Sequence, residues 1–229
     1  MLYRIVLIIP AFDEERSIAA VIADIPKHIV SEIIVVDNNS KDQTAAIAKA
    51  AGATVLSEKE QGYGAACLKG MAYLASQTTK PDMIVFMDGD YSDYGEQLTD
   101  VIQPILDNRS DMVIGSRALG NRERGSMTFP QIFGNWLATS LMKQIYKTKY
   151  TDLGPFRAIR YDALMQLGMK DRNYGWTVEM QLKAAKQKIR ISEVPVNYRV
   201  RIGVSKVSGT VKGTVMAGYK ILTTIFKYI

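Results

Sequence analysis

The segment Met83 to Asp93, MIVFMDGDYSD, runs from a short apolar stretch straight into two carboxylates separated by one glycine, Asp88-Gly89-Asp90, with a third acid at Asp93. Oxygen donors at the carboxyl end of a buried strand stand where open α/β sheets bind ligands, and hard divalent cations select oxygen. The pattern suits a metal diphosphate, with a solvated acidic turn as the competing explanation.

Other candidate strands end in comparable chemistry. Pro10-Ala11-Phe12-Asp13-Glu14-Glu15 falls where a first strand meets a helix, and helix capping would explain Asp13 and Glu14 without any ligand. The run IIVV ends in Asp37-Asn38-Asn39-Ser40. Capping accounts for Ser40 or Asp42 but not for Asp37, a carboxylate placed to accept a base N–H. Gln61-Gly62-Tyr63-Gly64 opens a helix with two glycines that let a ligand approach the backbone. It lacks the spacing of a Walker loop or a full dinucleotide fingerprint.

Composition narrows the chemistry further. The chain has 229 residues, one histidine (His28) and one cysteine (Cys67), which leaves no histidine-rich zinc site and no Ser-His-Asp or Cys-His apparatus. Reactions must come from Asp, Glu, Lys, Arg and main chain. Cys67 sits in an apolar helical pattern without a disulfide partner, which fits a reducing compartment. The net charge of +6 favours anionic partners, although the basic residues form no recognisable nucleic-acid module. No run reaches the roughly 18 apolar residues needed to span a bilayer, so a cytoplasmic protein, peripheral at the membrane face, is expected.

The elements that must position these groups alternate between strand and helix. Strands are expected at 3–9, 32–36, 54–56, 83–87 and 112–115, with helices between them. In the first helix Ile18, Val21, Ile22 and Ile25 share one stripe. Continuous apolar strands between helices imply a mostly parallel sheet covered on both faces. The second half opens with a charged loop at 120–130, continues in a helix over 132–146, and returns through FRAIR, two further helices and a strand pair, ISEV and VNYRV. No linker divides the chain, so one domain over 1–229 is expected.

Taken in order, PAFDEE, VVDNNSKDQT, DGD, GSR (115–117) and RIGVSK (201–206) resemble the motifs of the family 2 glycosyltransferases, in particular the branch of dolichyl-phosphate mannose and glucose synthases. The resemblance runs from Ile8 to about Ser208. It implies a three-layer α/β/α nucleotide-diphospho-sugar transferase (GT-A) fold. It also implies that Pro10, Phe12, Glu14, Val35 and Asp37 hold the nucleoside, and that Asp88, Gly89 and Asp90 hold the sugar diphosphate; Gln61 and Gly62 of the glycine turn are further candidates for binding the donor. Asp88 and Asp90 would be the ligands of Mg2+ or Mn2+, and Arg117, Arg201, Lys206 and alternatively Arg199 would neutralise phosphate. Three departures stand out: Asn38 replaces the second Asp of the family's Val-Asp-Asp, Ser92 replaces a frequent glutamine, and Gly175-Trp176-Thr177 replaces Gly-Tyr-Lys. These favour a UDP-sugar over a GDP-sugar.

The implied reaction is inverting transfer of a hexose to a polyprenyl (dolichyl-like) phosphate, which is already anionic and needs no general base. Asp152 and Glu179 are the carboxylates that family analogy puts on the acceptor side, and Asp90, Asp152, Glu179 and Arg117 are the candidate catalytic set. Glu179 could equally be structural. The tail, 207–229, carries Val211, Val215, Tyr219, Leu222, Phe226 and Ile229 on one helical stripe beside lysines. That suits a membrane-interfacial helix or an ordinary core-covering one. The 132–146 helix, with Trp136 and Tyr146, is a second interfacial candidate. A transferase acting on a hydroxyl, and a non-catalytic nucleotide-sugar-binding module, remain the alternatives.

Overall fold

The computed structural model describes residues 3–205 and 211–228. Its centre is a seven-stranded sheet in the order β3-β2-β1-β4-β6-β5-β7. The strands are β1 (Ile5–Ala11), β2 (Glu32–Asp37), β3 (Thr54–Ser57), β4 (Met83–Phe86), β5 (Met112–Ser116), β6 (Arg157–Arg160) and β7 (Ile191–Pro195). All neighbouring pairs are parallel except those of β6, which runs antiparallel to both β4 and β5. The expected mostly parallel sheet is therefore present, and it is the β-branched content of β1, β2, β4 and β5 that lets each be buried from both faces.

Helices cover the two faces. On one side α1 (Ile18–Asp24), α2 (Thr44–Ala50) and α4 (Leu98–Leu106) bury Ile18, Val21, Ile22, Val101 and Ile102 against Leu7, Ile9 and Val85. On the other side α3 (Tyr63–Ser76), α6 (Tyr161–Leu167) and α7 (Trp176–Lys186) pack Cys67, Leu74, Leu164 and Trp176 against Val6, Ile8, Ile84 and Phe86. Alternate residues of one strand thus feed opposite layers, as the two-residue strand period requires. The Cys67 thiol is fully buried and burial pushes its pKa up, so it is an inert core group.

A third cluster joins α5 (Phe129–Tyr146) and α8 (Val211–Lys227) to α7 through Ala138, Met142, Val178, Leu182 and Ile225. A capping box between Thr128 and Gln131 starts α5. The α8 helix turns Thr224 and Ile225 inward, whereas Val215, Tyr219 and Phe226 of the expected stripe are exposed. These three described members of the stripe do not cover the core, and Leu222 is half-buried. One expected strand is absent: Val196–Val200 leaves the sheet after β7, and Tyr198 instead bridges Asp93 and Arg122 singly. The reason is local, because Arg199 is pulled inward by Ser92, Tyr91 and Asp24.

Candidate active site

The parallel register brings the tips of β1, β2 and β4 together, with Ala11 opposite Asp37 and Ile8 opposite Phe86. Beyond these tips lies a cavity of about 470 Å³ lined by Pro10, Phe12, Glu14, Gln61, Gly62, Asp88, Gly89, Asp90 and Arg201 among others. Its place at the carboxyl ends of parallel strands is where open α/β sheets bind ligands.

Asp88 and Asp90 form the acidic floor. Burial, reinforced by Asp90 and Asp93, pushes the Asp88 carboxyl well above its usual range, and its Oδ1 is buried with no hydrogen-bond partner among the described residues. Asp93, only 3% exposed, is pushed up to about 7 by burial and then by Asp90. An orphaned carboxylate oxygen amid like charges is a costly arrangement that a cation would relieve. The residues present therefore fit a divalent ion. Among the described residues no group of three or more His, Cys, Asp or Glu forms a metal cage. An ion on Asp88 and Asp90 would take its remaining ligands from a diphosphate and water, as Mg2+ commonly does.

Arg201 supplies the opposing charge. Its guanidinium lies 3.0 Å from Asp90 Oδ2 and 3.1 Å from Glu14 Oε1, and the carbonyl of Asp90 accepts the Ile202 N–H at 2.9 Å. The Ser17 hydroxyl sits between Glu14 and the same floor, 2.9 Å from Glu14 Oε2 and 2.8 Å from Gly89 O, with its one proton to serve both acceptors. Ser92, one of the departures noted above, donates both its N–H and its hydroxyl to Asp90 Oδ1. Asp90 Oδ2 is thereby aimed at the cavity.

The remaining wall comes from loops. Asn38 donates to the carbonyls of Glu58 and Glu60 at 3.2 and 2.7 Å and accepts the Gly62 N–H at 2.7 Å, so the residue that departs from the family pattern holds Gln61-Gly62 in place. A Cβ on Gly62 or Gly64 would collide with the carbonyl oxygens of Arg172 and Asp171, and so the second loop, 168–175, packs directly on the first. Asn173, Tyr174 and Ser205 also line the cavity. Ser205 belongs to the RIGVSK element singled out in the sequence, whereas Asn173 and Tyr174 carried no signal, because no motif marks a wall contributed by a loop more than a hundred residues away.

Several expected site residues stand elsewhere. Val35 is fully buried in the sheet core, and Asp37, at the tip of β2, accepts the Ser40 N–H at 3.3 Å beside rather than on the cavity wall. Asp152 does not stand open as a base: both its oxygens are gripped by Arg117, at 2.8 Å from Nε and 2.7 Å from Nη2, with the Arg117 N–H also bound at 2.7 Å. Burial alone would raise the Asp152 pKa, but Arg117 outweighs it and holds the carboxyl below its usual range. Arg117 in turn lies over the Tyr198 ring and reaches the acids only through space. Arg199 is spent on Asp24 at 2.6 Å and stacks on Tyr91 and Tyr94. Glu179 faces away from the cavity, capturing the amides of Lys170 and Asp171. Lys206 lies outside the described residues.

Beneath the floor, Arg157 of β6 is completely buried and donates to the carbonyls of Leu153, Gly154 and Thr177. Burial pushes its pKa down to about 10, which leaves it cationic at neutral pH.

The sequence profile of Glycosyl transferase family 2 matches residues 6–168. The chain belongs to glycosyltransferase family 2. This transferase is 33% identical to an uncharacterized glycosyltransferase of Mycobacterium tuberculosis over 93% of its own length and 94% of the relative's. It is 29% identical to the UDP-N-acetylglucosamine–dolichyl-phosphate N-acetylglucosaminyltransferase of Methanococcus voltae, over 95% of this chain and 92% of that one. The undecaprenyl-phosphate mannosyltransferase of Micrococcus luteus is 27% identical over 92% and 90%. In fold, the transferase matches glucosyl-3-phosphoglycerate synthase from M. tuberculosis, solved with Mn2+, UDP and phosphoglyceric acid, at a TM-score of 0.77 and 20% identity, over 99% of this chain and 78% of that one. The fold is GT-A.

Proposed function

We propose that the transferase moves a hexose, with inversion, from a nucleotide-diphosphate sugar to a polyprenyl phosphate. The observation that carries the donor half is the Asp88 carboxylate, buried and unpartnered at Oδ1 beside Asp90 in a cavity that also contains Arg201. A bound Mg2+ or Mn2+ supplies Lewis acidity to the departing diphosphate. Around it, Asp88 and Asp90 hold the charge, Ser92 orients Asp90, and Arg201 pairs with leaving-group negative charge. Pro10, Phe12, Gln61 and Gly62 hold the nucleoside. The family departures at Asn38 and Gly175-Trp176-Thr177 favour a UDP-sugar.

A lipid phosphate acceptor is supported by two of the relatives named above and by the outer surface. Phe129, Phe133 and Trp136 of α5 are 78%, 47% and 59% exposed, Phe129 stacked on Phe133 and Phe133 tilted against Trp136, while Val215, Met216, Tyr219 and Phe226 of α8 are also exposed. These helices pack together. Such apolar faces, rimmed by Lys220 and Lys227, suit a lipid interface, and no helix of the described residues is long and apolar enough to cross a membrane. With both Asp152 and Glu179 engaged by bonds, an acceptor already anionic suits the site better than a hydroxyl that requires a free base. The test is incubation with Mn2+ or Mg2+, a panel of nucleotide sugars and a polyprenyl phosphate, with identification of the glycolipid. Turnover on a free glycan but on no lipid phosphate would overturn the acceptor assignment.

A further inference from the structure

The loop 168–175 forms the cavity wall at Asn173 and Tyr174, and its shape is held by two carboxylates. Asp171 Oδ1 accepts the N–H groups of Asn173 and Gly175 at 2.8 and 3.1 Å. Glu179 accepts those of Lys170 and Asp171 at 3.0 and 2.7 Å. Each carboxylate has a further partner on the C-terminal segment. Lys220 Nζ lies 3.0 Å from Asp171 Oδ2, and the Tyr228 hydroxyl donates to Glu179 Oε1 at 2.6 Å. The helix is close enough that a Cβ on Gly175 would stand 2.7 Å from Thr224 Oγ1.

We propose that α8 and Tyr228, the residue that follows it, set the donor wall, with Lys220 and Tyr228 as positioning residues that act on Asn173 and Tyr174 through Asp171 and Glu179. The inference rests on reading the cavity as the donor site. Its chain of contacts is continuous: α8 holds the carboxylates, the carboxylates hold the loop amides, and the Arg172 carbonyl accepts the Ala65 N–H at 2.9 Å beside the Gln61-Gly62 loop. Lys220 is 44% exposed, so solvent screens its pairing. Tyr228 therefore carries the larger share, because its acceptor is 99% buried and already holds two amides and Lys183. The same α8 carries the exposed apolar stripe, and whatever seats that stripe also bears on the donor wall.

The test compares the wild type with Tyr228→Phe, the double variant Lys220→Met with Tyr228→Phe, and the conservative Lys220→Arg. Two readouts are needed: hydrogen exchange of the amides in 168–175, and the affinities of UDP and GDP in Mn2+. Loss of two charge-assisted bonds predicts about tenfold or greater acceleration of exchange at Asp171, Asn173 and Gly175, with a comparable loss of nucleotide affinity in the double variant. Lys220→Arg retains both. Unchanged exchange overturns the positioning role, and if the double variant fails to fold, Tyr228→Phe alone decides by the same exchange. Accelerated exchange with unchanged nucleotide affinity overturns the link to the donor wall. If exchange accelerates but wild-type protein binds neither nucleotide, the latch stands and the donor assignment falls.

Discussion

Arg117 and Asp152 form a two-pronged ion pair, 2.8 and 2.7 Å long, with the carboxylate only 1% exposed and the guanidinium 11%. Removing either partner strands the other charge in low dielectric. Asp152→Ala should cost about 3–5 kcal/mol of stability, measurable by chemical denaturation. The sign of its pH dependence follows from the lowered Asp152 pKa: the stabilisation is fully present above the ordinary carboxylate range and is lost as pH falls through the depressed folded value. Wild type minus Asp152→Asn stability should therefore stay flat from pH 6 to 8 on the scale of about 1 kcal/mol and shrink only in acid.

Asp88 predicts the opposite trade. Its raised pKa means the folded protein pays to ionise it, a cost absent below the unfolded carboxylate range and growing as pH rises above it. Asp88→Asn should raise the melting temperature of metal-free protein at neutral pH while abolishing transfer. Thermal unfolding with and without Mn2+ checks this, and added Mn2+ should stabilise the wild type more than the variant.

Asn38 gives a third expectation. Restoring the family's acid by Asn38→Asp removes the donor to Glu58 and Glu60 and sets a carboxylate against two carbonyl oxygens. The loop 58–62 should loosen, at a cost of about 1–3 kcal/mol, with weaker nucleotide binding. Calorimetric titration of the folded variant reads it directly.

Trp136 lies on the exposed side of α5, beside Phe133 with ring centroids 5.7 Å apart. Trp136→Ser with Phe129→Ser should leave stability within about 0.5 kcal/mol per substitution, as surface changes do, yet reduce co-sedimentation with anionic vesicles. Undiminished sedimentation would remove α5 from the membrane face.

Much of the core was legible in the sequence. The stripe of Ile18, Val21, Ile22 and Ile25 is buried as its spacing requires, and the acid turn follows β4 directly, because local period and strand-end chemistry fix both. Less legible were the partners of each charge. Asp152 and Glu179 look identical in sequence to free carboxylates, since their captors, Arg117 on one side and the amides of 170–171 on the other, are assigned only by tertiary packing. The α8 stripe reads in sequence as either core or interface, because periodicity identifies a face without saying which way it points. The same limit hid Asn173 and Tyr174, which reach the cavity only because Gly62 and Gly64 lack side chains.

Arg157 carries one more consequence. It is a permanent interior cation whose N–H groups pin Leu153 and Gly154, next to Asp152, and Thr177 at the start of α7, while its strand lies beside the one that delivers Asp88. A single guanidinium thus rivets the segment after Asp152, the helix behind the 168–175 wall, and the strand under the acids into one frame. The spacing between these parts is then set by the folded chain itself, through one interior charge.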